Sequence, residues 1–365
     1  MSGTARHDAD ASPRIDVGGC PLPHHDREVV TLAHGGGGAL TRDLIERVFL
    51  PALGNPVLLR REDAGIVEIA SEVARGGRLA VSTDCHVVQP LVFPGGSIGE
   101  LAVHGTVNDL VMVGAAPRFL TAGFVIEEGL PITTLSGLVA RMGAAASAAG
   151  VAVVAGDTKV VERGRGDGLA IVTTGIGIVP GGIALGAAGV RAGDVVIVSG
   201  TLGDHGMAVM SVRESLGFEA DIVSDSAPLH ELVAVLLAAC PATRMLRDPT
   251  RGGLAAALNE IATAAGVGIE IDEAAVPVRP VVAAACEMLG LDPLTVANEG
   301  KVVAVVPAES AADALAALRA HPLGRAAVRL GRIVPDHAGV VALATRVGGR
   351  RIVPLPIGAD LPRIC

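Results

Sequence analysis

The sequence predicts an α+β protein of two domains. At 365 residues the chain is long for one compact core, so two domains are expected. Strand-like and helix-like segments follow one another in mixed order, without the strict alternation of a doubly wound sheet. A glycine-rich stretch from Pro180 to Gly189 separates two halves of similar make-up. Setting the boundary there gives an extension over residues 1–27, an N-terminal domain over 28–180, a C-terminal domain over 181–350 and a tail over 351–365.

The elements follow in order. The first residues mix Ala, Ser, Pro, His and Asp without periodicity and are expected to be disordered. Residues 41–50 place Leu44, Ile45, Val48 and Phe49 on one helical face, with Thr41 or Asp43 near the start. Residues 78–83, 121–126, 151–155 and 169–179 read as strands. Residues 98–114 and 131–149 read as helices, the second closed by Gly150. In the second half, strands are expected over 194–199, 268–271 and 302–306. Helices are expected over 206–216, 229–240, 252–265 and 311–320. No short-period repeat is present.

Composition excludes several classes. The formal net charge is −9, with neither a basic stripe nor interleaved aromatics, which argues against nucleic acid as a partner. No apolar run approaches a membrane span and no signal peptide opens the chain. Cys20, Cys85, Cys240, Cys286 and Cys365 form no CxxC pair and fit a reducing cytoplasm better than a disulfide framework. Only two of the 29 basic residues are lysines, Lys159 and Lys301. Lys159 lies in a motif where a compact ammonium has a use, whereas Lys301 reads equally as an exposed strand residue.

The chain ends in Pro362-Arg363-Ile364-Cys365. Pro354, Pro356 and Pro362 forbid a helix there. At ~3.1 Å per residue an extended proline-rich arm from Pro354 would reach roughly 35 Å. A terminal thiol on such an arm is suited to collecting a group outside and carrying it to an internal site.

Acidic residues gather in turns or beside glycines: Asp63, Asp84, Asp109, Asp157 and Asp248. Singly each reads as a cap or turn residue. As a set they supply the hard oxygens that Mg²⁺ prefers when it bridges protein to phosphate. Asp84 and Asp157 are expected at strand ends, the latter followed by Thr158 and Lys159. His34-Gly35-Gly36-Gly37-Gly38 precedes a helix and offers free amides to anionic oxygens, as does Arg251-Gly252-Gly253 after Asp248. A flexible linker is the plain alternative for the first run. Neither a P-loop nor a dinucleotide fingerprint occurs. Glu299, in Asn298-Glu299-Gly300-Lys301, is a candidate general base. His86, His104 and His205 match no zinc spacing and read as polar or catalytic-support residues. Cys85, beside Asp84, adds a possible second thiol near the site.

Together these segments resemble the HypE family of hydrogenase maturation proteins. It is part of the ATP-dependent superfamily of aminoimidazole ribonucleotide synthetase, thiamine-monophosphate kinase and selenophosphate synthase. The resemblance runs from about Val30 to Cys365. It rests on Leu32 to Gly35, Ser82 to Asp84 with Pro90 to Gly96, His104 to Asp109, Gly156 to Val161, Ser199 to Gly206, Asp248 to Gly253, Asn298 to Lys301 and the terminal Pro-Arg-Ile-Cys.

The resemblance implies an N-terminal sheet domain that forms a homodimer, and a C-terminal α/β domain. It implies that a carbamoyltransferase, HypF, carbamoylates Cys365, and that ATP then drives dehydration of the S-carboxamide to a thiocyanate. The cyano group would pass to iron on a HypC–HypD scaffold. ATP would lie in a groove bordered by His34, Gly35, Gly36 and Gly37, with Asn108, Asp109, Thr158, Lys159 and Gly252 around it. Asp63, Asp84, Asp109, Asp157 and Asp248 would hold Mg²⁺. Lys159 or Arg251 would offset the growing charge, and Glu299 would take the amide protons, with His86 or His205 behind it. Arg363 is expected to offset the terminal carboxylate beside the thiol.

Overall fold

The computed structural model of the protein describes residues 28–36, 39–61, 64–214, 222–357, 361 and 363–365. The extension, Gly37 and Asp63 lie outside the described residues.

A helical stretch opens the fold: α1 (Ala39–Leu44), a π segment over Ile45–Phe49, and α2 (Leu50–Leu53). Then come α3 (Ala70–Ala74), β1 (Arg78–His86), β2 (Val92–Phe93), β3 (Gly96–Ser97), α4 (Ile98–Met112), β4 (Ala116–Glu127), α5 (Ile132–Ala148), β5 (Ala152–Val161) and β6 (Leu169–Val179). β1, β6, β4 and β5 form a four-stranded sheet in that order, with only β4 and β5 parallel. α4 lies against the inner face of this sheet and packs on α5. The outer face carries exposed Leu79, Val81 and Val125. α5 stops where Gly150 takes the left-handed conformation (φ +67°), as its position predicts.

α4 is apolar on all sides because it is covered on all sides, by the sheet, by α5 and by the second domain. Its buried polar groups are therefore bonded. Thr106 meets Thr173 at 2.5 Å and His104 Nδ1 meets Ser226 at 2.9 Å.

The second half comprises β7 (Val195–Val198), α6 (Asp204–Arg213), α7 (His230–Ala239), β8 (Met245–Arg247), α8 (Gly253–Ala265), β9 (Gly268–Asp272), α9 (Pro280–Leu289), β10 (Val303–Val306), α10 (Ala311–Ala320), β11 (Val328–Val334), β12 (Val341–Ala344) and β13 (Arg350–Val353). Seven strands order as β13-β12-β9-β11-β7-β10-β8. The central strands β7 and β10 are apolar at every position because both faces are covered. Val196, Val198, Val303 and Val305 join one core with Leu254 and Leu258 of α8. Val195, Ile197, Ala304 and Val306 join the other with Leu232 of α7 and Leu318 of α10.

Three expectations need correcting. β1 continues to His86 and β5 to Val161, so Asp84 and Asp157 lie within strands, not at their ends. Both are edge strands, where polar residues keep one side free while the ladder pairs the backbone. The tail also starts later than residue 351: β13 pairs with β12 and buries Val353, so the arm begins at Pro354. Finally, α9 and the strands β8, β11, β12 and β13 have no counterpart among the expected elements.

Candidate active site

The terminal cysteine sits inside the protein. The Ile364 side chain is 3% exposed and belongs to the N-terminal core. Val87 N–H donates to the Cys365 main-chain oxygen at 3.2 Å, and Gln89 N–H to the Arg363 carbonyl at 3.2 Å. His205 Nε2 lies 2.7 Å from the Ile364 carbonyl, and its Nδ1 lies 2.8 Å from Ser224 Oγ. A carbonyl only accepts, so Nε2 carries the proton and Nδ1 accepts from the Ser224 hydroxyl. Burial pushes the His205 pKa down, which keeps the ring neutral. Both His205 ring nitrogens are engaged, Nε2 by the tail and Nδ1 by Ser224, so the reserve base role gives way to holding the tail.

The Cys365 thiol lies against the carboxyl group of Glu299. The segment around Glu299 explains why it points there. Asn298 Oδ1 accepts from Gly203 N–H at 2.8 Å, and its amide donates to Pro249 and Val296 carbonyls at 3.0 Å each. Glu299 N–H donates to Asp225 at 3.1 Å, and Lys301 Nζ pairs with the same carboxylate at 2.9 Å. Gly300 lets the backbone of Asp225 approach where a Cβ would collide. Lys301 is therefore a buried ion-pair residue, not an exposed strand residue. With the backbone fixed on both sides, the Glu299 side chain turns toward the thiol, its Oε1 buried without a partner among the described residues. Asn298→Ala would leave the Gly203 N–H and the Val296 carbonyl without this partner, while the Pro249 carbonyl keeps the Asn298 main-chain N–H at 3.1 Å. We expect the variant to lose about 3 kcal/mol of stability, read by urea unfolding.

The charges are tuned by this crowding. Burial, then Asp248, Asp225 and Asp84, hold the Glu299 carboxyl well above the usual carboxylate range. Burial and Glu299 push the thiol up as well, and Arg251 pulls it down. Arg363, expected to do this, instead points to Asp167 at 3.3 Å on the surface. Asp84 projects inward from β1 with His86 two residues on. Gly105 of α4 makes room for both, since a Cβ there would lie 2.8 Å from the His86 ring and 3.0 Å from Asp84. His86 Nε2 stands 3.4 Å from Asp84 Oδ2. Its two ring nitrogens are buried without a hydrogen-bond partner among the described residues, and burial keeps the ring neutral. Asp109 accepts from Ser82 Oγ at 2.6 Å, and burial raises its pKa. Burial and Asp109 push Asp248 up to about 7.

The structure divides the expected metal set. Asp84, Asp109 and Asp248 repel one another around one cleft. Asp157 lies on β5, three strands and about 14 Å from β1. Asp157 and Lys159 pair with Gly123 and Val125, and Val125 is exposed on the outer face, so these side chains face away from Asp84. Cys85 also faces outward, one residue out of phase with Asp84, and is no second thiol at the site.

A cavity of about 420 Å³ opens between the first helices and β4–β5. It is lined by Thr41, Arg42, Phe49, Phe124, Asp157 and Thr158, so Asp157 borders this cavity and not the Asp84 cleft. His34 does not face a ligand there: its Nδ1 caps Thr31 N–H at 3.0 Å. Gly35 is needed because a Cβ would lie 2.7 Å from Val160 N, while Gly36 is exposed. Asn108 is also taken up structurally. It donates to the Ala227 and Glu299 carbonyls and accepts from Leu229 N–H, tying the two domains together. At Gly252 (φ +77°) the chain turns into α8, whose first amides are largely satisfied: Gly253 N–H by Thr250 and Ala255 N–H by Leu294. Arg251 is exposed and acts on the thiol electrostatically. Sequence reasoning missed Asp225, Ser224, Ser82 and Arg213. Asp225 meets Lys301 across 76 positions, with no local signal.

Residues 61–179 match the family described as AIR synthase related protein, N-terminal domain, and residues 191–344 match its C-terminal domain. The carbamoyl dehydratase HypE of Cupriavidus necator is 52% identical over 336 residues, 92% of this chain and 95% of that protein. The chain belongs to the HypE family. A crystal structure of HypE in complex with ATP is similar at 46% identity and a TM-score of 0.86, covering 92% of this chain and 99% of that one. A HypE–HypF complex is similar at 46% identity and a TM-score of 0.74, covering 87% and 100%.

Proposed function

We infer that this chain is an ATP-dependent carbamoyl dehydratase that converts an S-carboxamide on Cys365 to a thiocyanate, supplying the cyanide ligand for [NiFe]-hydrogenase maturation. The observation that carries the reading is the Cys365 thiol docked against the high-pKa carboxyl of Glu299, whose Oε1 has no partner among the described residues. The γ-phosphoryl of ATP goes to the carboxamide oxygen, ADP leaves, and a poor leaving group becomes phosphate. Two N–H protons are lost, the C–O bond breaks and the thiocyanate remains. Glu299 is the base for the amide protons: its raised pKa makes it a stronger base than an ordinary carboxylate. His86, neutral and unpartnered beside Asp84, is placed to accept a hydrogen bond from the carboxamide. The buried position of Ile364 shields the activated group from water.

ATP binding is supported by the HypE–ATP complex, and the cavity beside Thr41 and Thr158 suits the adenosine end. Asp84, Asp109 and Asp248 are the residues that would hold Mg²⁺. They supply only oxygen, and a cation would relieve the mutual repulsion that adds to burial in raising Asp109 and Asp248. Among the described residues no three acidic, His or Cys side chains form a ready metal cage. The ion would neutralise triphosphate charge. Asp109→Ala should weaken Mg-ATP binding at least about tenfold, equivalent to about 1.4 kcal/mol, by calorimetry; an unchanged affinity removes Asp109 from the set.

HypF is the carbamoyl donor, a reading supported by the HypE–HypF complex. A HypC–HypD scaffold is the proposed cyanide acceptor. The apolar outer face of the four-stranded sheet is the surface for a second copy, and Lys159 and Asp157 stand on that face. No helix among the described residues is long and apolar enough to cross a membrane. A thiol acceptor works in a reducing compartment, so we assign the cytoplasm. The test is tail-peptide mass spectrometry after mixing with HypF, carbamoyl phosphate and Mg-ATP. An adduct on Cys365 that loses the mass of water only with ATP supports the reading; ATP consumed on a soluble acceptor, with Cys365 unmodified, overturns it.

A further inference from the structure

The end of the tail is gripped through its carbonyls. Val87 N–H meets the Cys365 main-chain oxygen and Gln89 N–H meets the Arg363 carbonyl, two main-chain bonds that both run from the 87–89 segment to the tail. His205 takes the Ile364 carbonyl between them. Beside the outer of these bonds lies Arg213, from the last turn of α6. Its Nε and Nη2 donate to the Gln89 carbonyl at 2.9 and 2.6 Å, and Nη2 also reaches the Arg363 carbonyl at 2.5 Å. One guanidinium thus bridges the Gln89 and Arg363 carbonyls. A rigid fork can serve two carbonyls at once where a single ammonium cannot hold both in fixed geometry.

The residue it grips is strained. Arg363 adopts φ +55°, a left-handed conformation that a non-glycine residue adopts only when its surroundings enforce it. The Arg363 side chain offers little in return, since its partner Asp167 is also on the surface. The docked end therefore depends on the donors to its carbonyls and on the buried Ile364. Carbonyl recognition also ignores side chains and counts residues: with Arg363 held, the residue two positions on ends at Glu299.

We propose that Arg213 is a positioning residue that clasps the Arg363 carbonyl, setting the register of the tail and the time Cys365 spends at Glu299. This rests on the dehydratase reading for its consequence in catalysis, but the clasp itself is measured without it. In full-length protein with Arg213→Ala, iodoacetamide should alkylate Cys365 at least about tenfold faster, the scale of one charge-assisted hydrogen bond. The rate is read on the terminal peptide by mass spectrometry, so that exposed Cys85 does not interfere. Arg213→Lys should fall between wild type and alanine, and the thermal midpoint should stay unchanged. In single turnover of protein already carbamoylated by HypF, dehydration should slow about tenfold while carbamoylation does not. Unchanged alkylation of Cys365 in the alanine variant overturns the clasp. So does faster alkylation of the buried Cys240 and Cys286 to the same degree, which would mark general loosening. If wild type itself never dehydrates, the functional reading fails while the alkylation comparison still decides the clasp.

Discussion

Cys365→Ser yields a folded protein that binds ATP and forms no thiocyanate. The folded state loses only one sulfur: Ile364 still fills its place in the core, and the main-chain contacts of residues 363–365 do not involve the thiol. The chemistry loses its acceptor, because a serine hydroxyl is neither the nucleophile nor the leaving partner that a thiol provides. No other described cysteine can substitute. Cys240 and Cys286 are buried in apolar clusters, and Cys85 stands on the outer sheet face. Peptide mass spectrometry of the variant after the complete reaction should find no carbamoyl or cyano adduct. Thiocyanate on any other residue would sink the assignment.

Glu299→Gln should lower the dehydration rate by about 10²- to 10⁴-fold, the usual worth of a positioned base. Glutamine keeps the shape, and the segment is held by Asn298, Asp225 and Lys301, so the fold should survive. Carbamoylation of Cys365 should be unaffected, since it needs the tail outside and not this carboxyl. The pH dependence sharpens the test. A base works only when ionised, and burial with neighbouring carboxylates raises the Glu299 pKa. The wild-type rate should therefore climb as pH rises through that raised value, on a limb above the ordinary carboxylate range. The glutamine variant should lack the limb. A variant with wild-type rate and the same limb would transfer the base role elsewhere, with His86 next in line.

Much of the scaffold was legible in the sequence. β6 and α10 lie where their periodicity places them, and α4, α5 and β10 lie within a residue or two. The segments of β7 and β10 were legible as strands, but their burial on both faces is visible only in the structure. Strand lengths were not legible at Asp84 and Asp157, because polar residues read as turns until an edge position makes room for them. In the candidate site, Glu299 and Cys365, singled out by motif and position, lie side by side. The expected metal set was not one site, since strand order and side-chain alternation carry Asp157 and Lys159 to the far edge and opposite face.

The sequence by itself determined the chemistry-bearing inventory: a terminal thiol, acidic residues beside glycines, a carboxylate in a bend and two scarce lysines. Those are covalent facts, readable one residue at a time. Only the tertiary structure decided which of them meet. Asp225 joins Lys301 and Glu299 across more than 70 residues, Arg213 reaches a carbonyl 150 residues away, and His205 is tied to the tail through a proton position that a carbonyl dictates. Such contacts arise from packing two domains around α4, and no local pattern encodes a distance between side chains so far apart in the chain.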